Sequence, residues 1–215
     1  MLATERVTRV RPVVLEGPHV RLEPLAVDHA RDLLAAASGP RETYGFTTVP
    51  ADEPSMVSYI EAALRDQEAG RALPFATVAK ATGRVVGSTR FGNIEFWPWP
   101  AGNVNQRGRD VPDVAEIGWI WLAADVQRTP VNTEAKLLML AHAFEAWRVH
   151  RVSLMTDARN EGSRRAILRL GARFDGVIRA QRPGSDGAIR DTAAFSILDY
   201  EWPMVKQQLH SRLNR

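Results

Sequence analysis

The sequence predicts one mixed α+β domain with a mostly antiparallel sheet and helices on both faces. Three observations predict it. Short apolar or alternating segments recur from His19 to Leu198 with turn chemistry between them. Segments of helical spacing are interspersed among these strands rather than gathered in one half. The chain has 215 residues, 45% of them apolar, which is enough for one sizeable core but short for two.

Residues 1–13 hold Arg6, Arg9 and Arg11 and no apolar run, so they read as a flexible arm and not as a secretory signal. The domain is expected over residues 14–200. His19 to Pro24 alternates Val20 and Leu22 with Arg21 and Glu23, a strand. Asp28 is placed to cap a short helix running to about Ala37, which Ser38-Gly39-Pro40 stops. After a loop at residues 50–54, Ser55 is expected to cap a second helix to about Ala69, with Gly70 at its end. Leu73–Ala79 and Arg84–Ile94 flank the turn Ala81-Thr82-Gly83 as a hairpin.

Residues 97–113 open with Trp97-Pro98-Trp99-Pro100. Two prolines forbid a central strand, so this stretch reads as an insertion loop. Its tryptophans are expected to pack onto the domain rather than cover a substrate mouth. Val114–Leu122 is the next strand, with Trp119 and Trp121 on one face and Glu116, Gly118 and Ile120 on the other. A tight loop, Gln127 to Pro130, leads into a long helix from Val131 to Val149. A strand at Arg151–Thr156 and a helix at Asn160–Leu170, closed by Gly171, follow. The last two strands, Arg173–Gln181 and Ala188–Leu198, turn at Pro183 to Gly187. Residues 201–215 read as a C-terminal helix and tail.

Composition removes several function classes. The 28 bases and 25 acids leave a formal charge of +3. The pI of 9.7 is high because most bases are arginine, which stays charged to high pH. These arginines are spread along the chain and not clustered as a nucleic-acid face would need. With no cysteine there is no disulfide and no thiolate nucleophile. The five histidines have no metal-ligand spacing with a carboxylate, so no metal is expected. No apolar run reaches the length of a membrane span. Cytoplasmic location is the expectation.

The informative segment is the strand, loop and helix from residue 114 to 149. A loop that opens a long helix presents unpaired N–H groups, and the helix dipole adds positive charge there. Such ends bind phosphates without lysines. Thr129 suits the N-cap and Pro130 the first helical position.

Glu116-Ile117-Gly118-Trp119-Ile120-Trp121-Leu122, followed by Gln127-Arg128-Thr129 and Asn132-Thr133-Glu134-Ala135, resembles the central motif of GNAT acetyltransferases. It is similar in particular to the branch containing the ribosomal-protein N-terminal acetyltransferases. Asn160-Glu161-Gly162-Ser163 through Leu170-Gly171-Ala172 resembles the motif that follows in that family, and Asp175 to Arg179 with Gly187 to Ser196 resembles its last hairpin. The resemblance spans about residues 14–200.

The resemblance implies a V-shaped splay between the strands at 114–122 and 151–156, which admits the pantetheine arm of acetyl-CoA. It implies coenzyme contacts from Trp121, Leu122, Gln127, Arg128, Thr129, Val131, Asn132, Thr133, Asn160 and Ser163. Catalysis would be direct attack of a primary amine, a protein N-terminus or a small amine, on the thioester. Glu116 is the nominee for the base and Ser163 for the acid, because residues 160–170 contain no tyrosine. Local grounds alone leave Glu116 as a structural carboxylate and Asn160 as a plain helix cap. Asp157 is a weaker base candidate. The resemblance also implies a homodimer. One departure stands out: the small residues usual in the coenzyme loop are Pro130 and Asn132 here. That keeps open a degenerate domain that binds coenzyme A without turnover.

Overall fold

The structure is a computed structural model that describes residues 10–108 and 110–214. Most of the expected N-terminal arm, residues 1–9, lies outside the described residues. The strands are β1 (Leu15–Glu16), β2 (Val20–Pro24), β3 (Leu73–Ala79), β4 (Arg84–Glu95), β5 (Val114–Leu122), β6 (Arg151–Asp157), β7 (Arg173–Pro183) and β8 (Ile189–Leu198). The helices are α1 (Ala30–Ala36), α2 (Glu53–Glu68), α3 (Pro130–Ala141), α4 (Glu161–Leu170) and α5 (Trp202–Leu213). One sheet takes the order β1-β2-β3-β4-β5-β6-β8-β7. Every neighbouring pair is antiparallel except β5 with β6.

The predicted mixed fold is therefore the observed one, with the short edge strand β1 added. α1 and α2 pack together and onto β3 and β4, while α3 and α4 both meet α5. The core between sheet and helices holds Phe75, Phe91, Trp147 and Phe195, each fully buried.

Local chemistry corrects several boundaries. The first helical segment begins as a 3-10 turn over Val27–His29, so Asp28 lies inside it and caps nothing. Instead the His29 ring nitrogen accepts from the Ala26 N–H at 3.0 Å. Asp52, not Ser55, caps α2. Its carboxylate accepts from the Ser55 N–H at 2.8 Å, and the Ser55 hydroxyl accepts from the Asp52 N–H at 3.4 Å. The long helix is α-helical only to Ala141. It finishes as a wider π turn over His142–Trp147, and Arg148 ends it in the left-handed region at φ 60°. The 97–113 loop packs as expected. Trp97 stacks on His150 at 5.7 Å, and Asp113 accepts from the Trp97 N–H and the Trp99 indole.

The feature that positions the site is the parting of β5 from β6. Only three rungs join them: Val114 to Arg151, Ala115 to Val152 and Glu116 to Ser153. Beyond these, β5 continues to Leu122 and β6 to Asp157 unpaired with each other. The cause is local. Trp119 has φ 51°, and the register against β4 slips between Ser88 and Arg90, a β-bulge that bends β5 away. Gly92 makes room for it, since a Cβ there would fall 2.2 Å from the Trp119 ring. The alternation expected along β5 fails at this bulge, and Trp119 lines the same cavity as Glu116.

Candidate active site

Two cavities meet at the point where the strands part. One, of about 380 Å³, is walled by Ile120 and Trp121 from β5, Met155 and Thr156 from β6, and Asn160 and Ser163 at the start of α4. The other, of about 460 Å³, opens beyond Asn93, Glu95 and Ser153. Glu116, Trp119, Arg90 and Met155 line both.

Glu116 sits at the last rung before the splay and is 6% exposed. Burial pushes its carboxyl upward. The Asn93 amide, which donates to Oε2 at 2.7 Å, opposes this, as do the positive charges of Arg182 and Arg190. Asn93 reaches it from a bulge in β4, where its φ is 43°, a conformation asparagine tolerates better than most residues. The result is a desolvated, oriented carboxylate facing two cavities.

Asp157 has the opposite character. It is 3% exposed, and Arg159 clasps both its oxygens, at 2.8 and 3.0 Å. Those hydrogen bonds hold its carboxyl below the ordinary range. It is a structural anion and not a proton acceptor near neutrality.

At α4, the Asn160 side chain accepts from the Ser163 N–H at 2.9 Å, an N-cap. The cap leaves the Asn160 amide group and the Ser163 hydroxyl at the cavity wall. Trp121, Asn160 and Ser163 are thus brought together around the splay.

Gln127 to Thr133 stand apart from that cavity, at the start of α3. Thr129 is the N-cap and Pro130 the first helical residue, as the sequence predicts. Gln127 uses its amide to hold the Leu122 carbonyl at 3.1 Å, which pins the loop. Arg128 takes the left-handed region at φ 64°. The Thr129 hydroxyl donates to the Val126 carbonyl at 2.7 Å and accepts from the Val131 N–H at 3.4 Å. The set of free amides is therefore narrower than expected. Val131 spends its N–H on the cap, and Thr133 is the first residue whose N–H meets an intrahelical carbonyl. Arg128, Thr129 and Asn132 remain. Thr129, Pro130 and Val131 also face a separate cavity of about 490 Å³ shared with Lys80 and Arg84.

The sequence places Glu134 within the central motif but does not show what it binds. It is 3% exposed on α3, and its carboxylate accepts from the His19 and Val20 N–H groups at 2.6 and 2.7 Å. Gly17 must lack a side chain here, because a Cβ would lie 2.5 Å from that carboxyl carbon. Asn93 was also missed, since nothing near residue 93 announces a partner at residue 116.

The chain matches the Acetyltransferase (GNAT) domain family over residues 19–173. It belongs to the GNAT acetyltransferases. It is 33% identical to a GCN5-related N-acetyltransferase from Brucella melitensis, across 94% of this chain and 86% of that one, with a TM-score of 0.77. Mycobacterium smegmatis RimJ, solved with CoA-disulfide, shares the fold at 22% identity, with 96% and 97% coverage and a TM-score of 0.77. The ribosomal-protein-S5-alanine acetyltransferase of Vibrio fischeri shares it at 17%, with 88% and 98% coverage and a TM-score of 0.67. No curated protein matches. Family and fold make the chain an acetyltransferase that draws on acetyl-CoA. Among the described residues no helix is long and apolar enough to cross a membrane, and no group of acidic and histidine side chains is placed to hold a metal.

Proposed function

We propose that this GNAT protein acetylates a primary amine by direct attack, with Glu116 accepting the proton of the incoming ammonium. Acetyl-CoA, when bound, supplies the activated acetyl group. The observation that carries the reading is a carboxylate desolvated at the apex of the splay and open to cavities on both sides. Burial raises its affinity for a proton toward what removing one from an ammonium near neutrality requires. Asn93 fixes one oxygen and leaves the other for an ammonium or a bridging water.

Ser163, held at the first turn of α4 by the Asn160 cap, is placed to supply a proton to the departing sulfur. Unpaired backbone edges of β5 from Gly118 to Leu122 suit a pantetheine amide chain. The start of α3, with the Arg128, Thr129 and Asn132 amides and the Arg128 charge, suits a pyrophosphate. Pro130 lacks an N–H but occupies the position where a helix needs none, which supports retention of the phosphate site.

The test is thiol release from acetyl-CoA across a panel of primary amines, with mass spectrometry of the products. Acetylated amine whose formation falls in Glu116→Gln supports the reading. Coenzyme A binding with no product from any amine would overturn it and leave a binding domain.

A further inference from the structure

The cavity at the splay carries an unbalanced charge. Its walls contain three guanidinium groups, Arg90, Arg182 and Arg190, and one carboxylate, Glu116. Arg90 is accounted for. It lies over the Trp119 ring at 4.6 Å and the Tyr59 ring at 5.6 Å, with Asp66 at 3.7 Å.

Arg182 and Arg190 are not accounted for. They face each other as a direct cross-strand pair of β7 and β8. Like charges in that position repel. Arg190 is only 8% exposed, and its Nε donates to the Thr192 hydroxyl at 2.9 Å. Thr192 is locked in turn by donating to Gln181 at 2.6 Å. The two terminal nitrogens of Arg190 have no hydrogen-bond or ion-pair partner among the described residues, and neither has the Arg182 guanidinium. Two acids act on Arg190 at longer range: Asp157, which is bound by Arg159, and Glu116, one oxygen of which takes the Asn93 amide. Arg190 is largely covered and Arg182 is exposed, and with neither guanidinium ion-paired the two present adjacent positive charge to the cavity, a site that favours an anion.

Resting on the acetyl-transfer reading above, we infer that the acceptor amine carries an oxyanion, carboxylate or phosphate, which Arg182 and Arg190 receive while the amine faces Glu116. The pairing also answers an electrostatic difficulty. A simple ammonium would enter a cavity dominated by guanidinium charge, whereas a zwitterion brings its own counter-charge. Guanidinium groups bind such oxyanions through paired, charge-assisted hydrogen bonds. The coenzyme's own pyrophosphate does not meet this demand, because the start of α3 is not part of this cavity.

The experiment compares matched amines: phenylalanine with phenylalanine amide and phenethylamine, and phosphoethanolamine with ethanolamine. The quantity read is the ratio of kcat/KM, anionic over neutral. The wild-type chain should give a ratio of about 10 or more for at least one pair. The carboxylate and phosphate arms show which oxyanion is preferred. Arg182→Gln, at an exposed position, and Arg190→Gln should each collapse that ratio severalfold, with coenzyme A affinity by calorimetry reporting an intact fold. A ratio near one, or one that survives both substitutions, overturns the inference and leaves acetyl transfer standing. If no amine is acetylated, binding of the same pairs to the coenzyme A complex is read by calorimetry. Preference for the anionic member, lost in Arg182→Gln, upholds the arginine site although transfer fails. Equal or absent binding rejects it.

Discussion

The two ends of the splay are built from different materials. At the start of α3 the useful groups belong to the backbone: amides freed by a helix terminus and a dipole behind them. At the apex they are side chains: Glu116 oriented by Asn93, and two arginines brought together by a strand register. A backbone site tolerates substitution, because any residue but proline offers the same N–H. A side-chain site does not. The difference teaches where this chain can drift and where it cannot. Asn132 keeps its amide and Pro130 gives up one N–H where the helix needs none, whereas the mechanism proposed above asks for a carboxylate at residue 116.

The sharpest way to break that comparison is Glu116→Gln. It keeps shape and hydrogen bonding but removes the proposed base, and should lower kcat/KM by about 10²–10⁴. Coenzyme A affinity, read by calorimetry, should hold. A loss of affinity of similar size would mean that the apex and the loop are one site and not two. The pH profile sharpens the same point. The proposed mechanism needs the ionised carboxylate, and burial raises its proton affinity, so the rate should climb with pH through a midpoint above the ordinary carboxylate range. Because the Asn93 hydrogen bond lowers that midpoint, Asn93→Gly, which keeps the positive φ, should move it higher.

α3 offers the next largest effect. Lys136 is completely buried, with no partner for its Nζ, and burial lowers it to about 7. Between that value and 10.5 the unfolded chain holds a proton the folded chain has released, so stability rises with pH across the window. Below about pH 7 the cost of burying the charge is fully present. Lys136→Met should stabilise the fold by about 1–4 kcal/mol at neutral pH and flatten that slope, as urea titrations at several pH values would show. At the phosphate end, Arg128→Glu should weaken coenzyme A binding severalfold, worth about 1 kcal/mol, with kcat little altered. An unchanged dissociation constant would remove Arg128 from the site. The smallest effect is expected at the α4 cap, where Asn160→Ala should cost about 1 kcal/mol of stability in thermal melts.

Much of the fold was legible because β-hairpins and helix ends are local. The Ala81-Thr82-Gly83 and Pro183-to-Gly187 turns and the Gly171 stop need only neighbouring residues to be read. The Thr129 cap and Pro130 were legible for the same reason. The bulge at Trp119 was not. Pattern reading assumes an unbroken pleat, and the slip depends on the empty space at Gly92 on another strand. Asn93 and the arginine pair depend on strand register, which a sequence alone fixes only weakly. Asp52 displaced Ser55 as a cap because both suit the position, and the Pro at residue 54 fits the first turn only if the helix starts earlier.

The carboxylate lodged beneath Gly17 ties the chain's beginning to its middle. The partners are 115 and 114 residues apart, so this contact is long-range and forms only once α3 meets the segment before β2. Loosening either one, for instance by Gly17→Ala, should slow refolding and let both ends exchange their amide protons together.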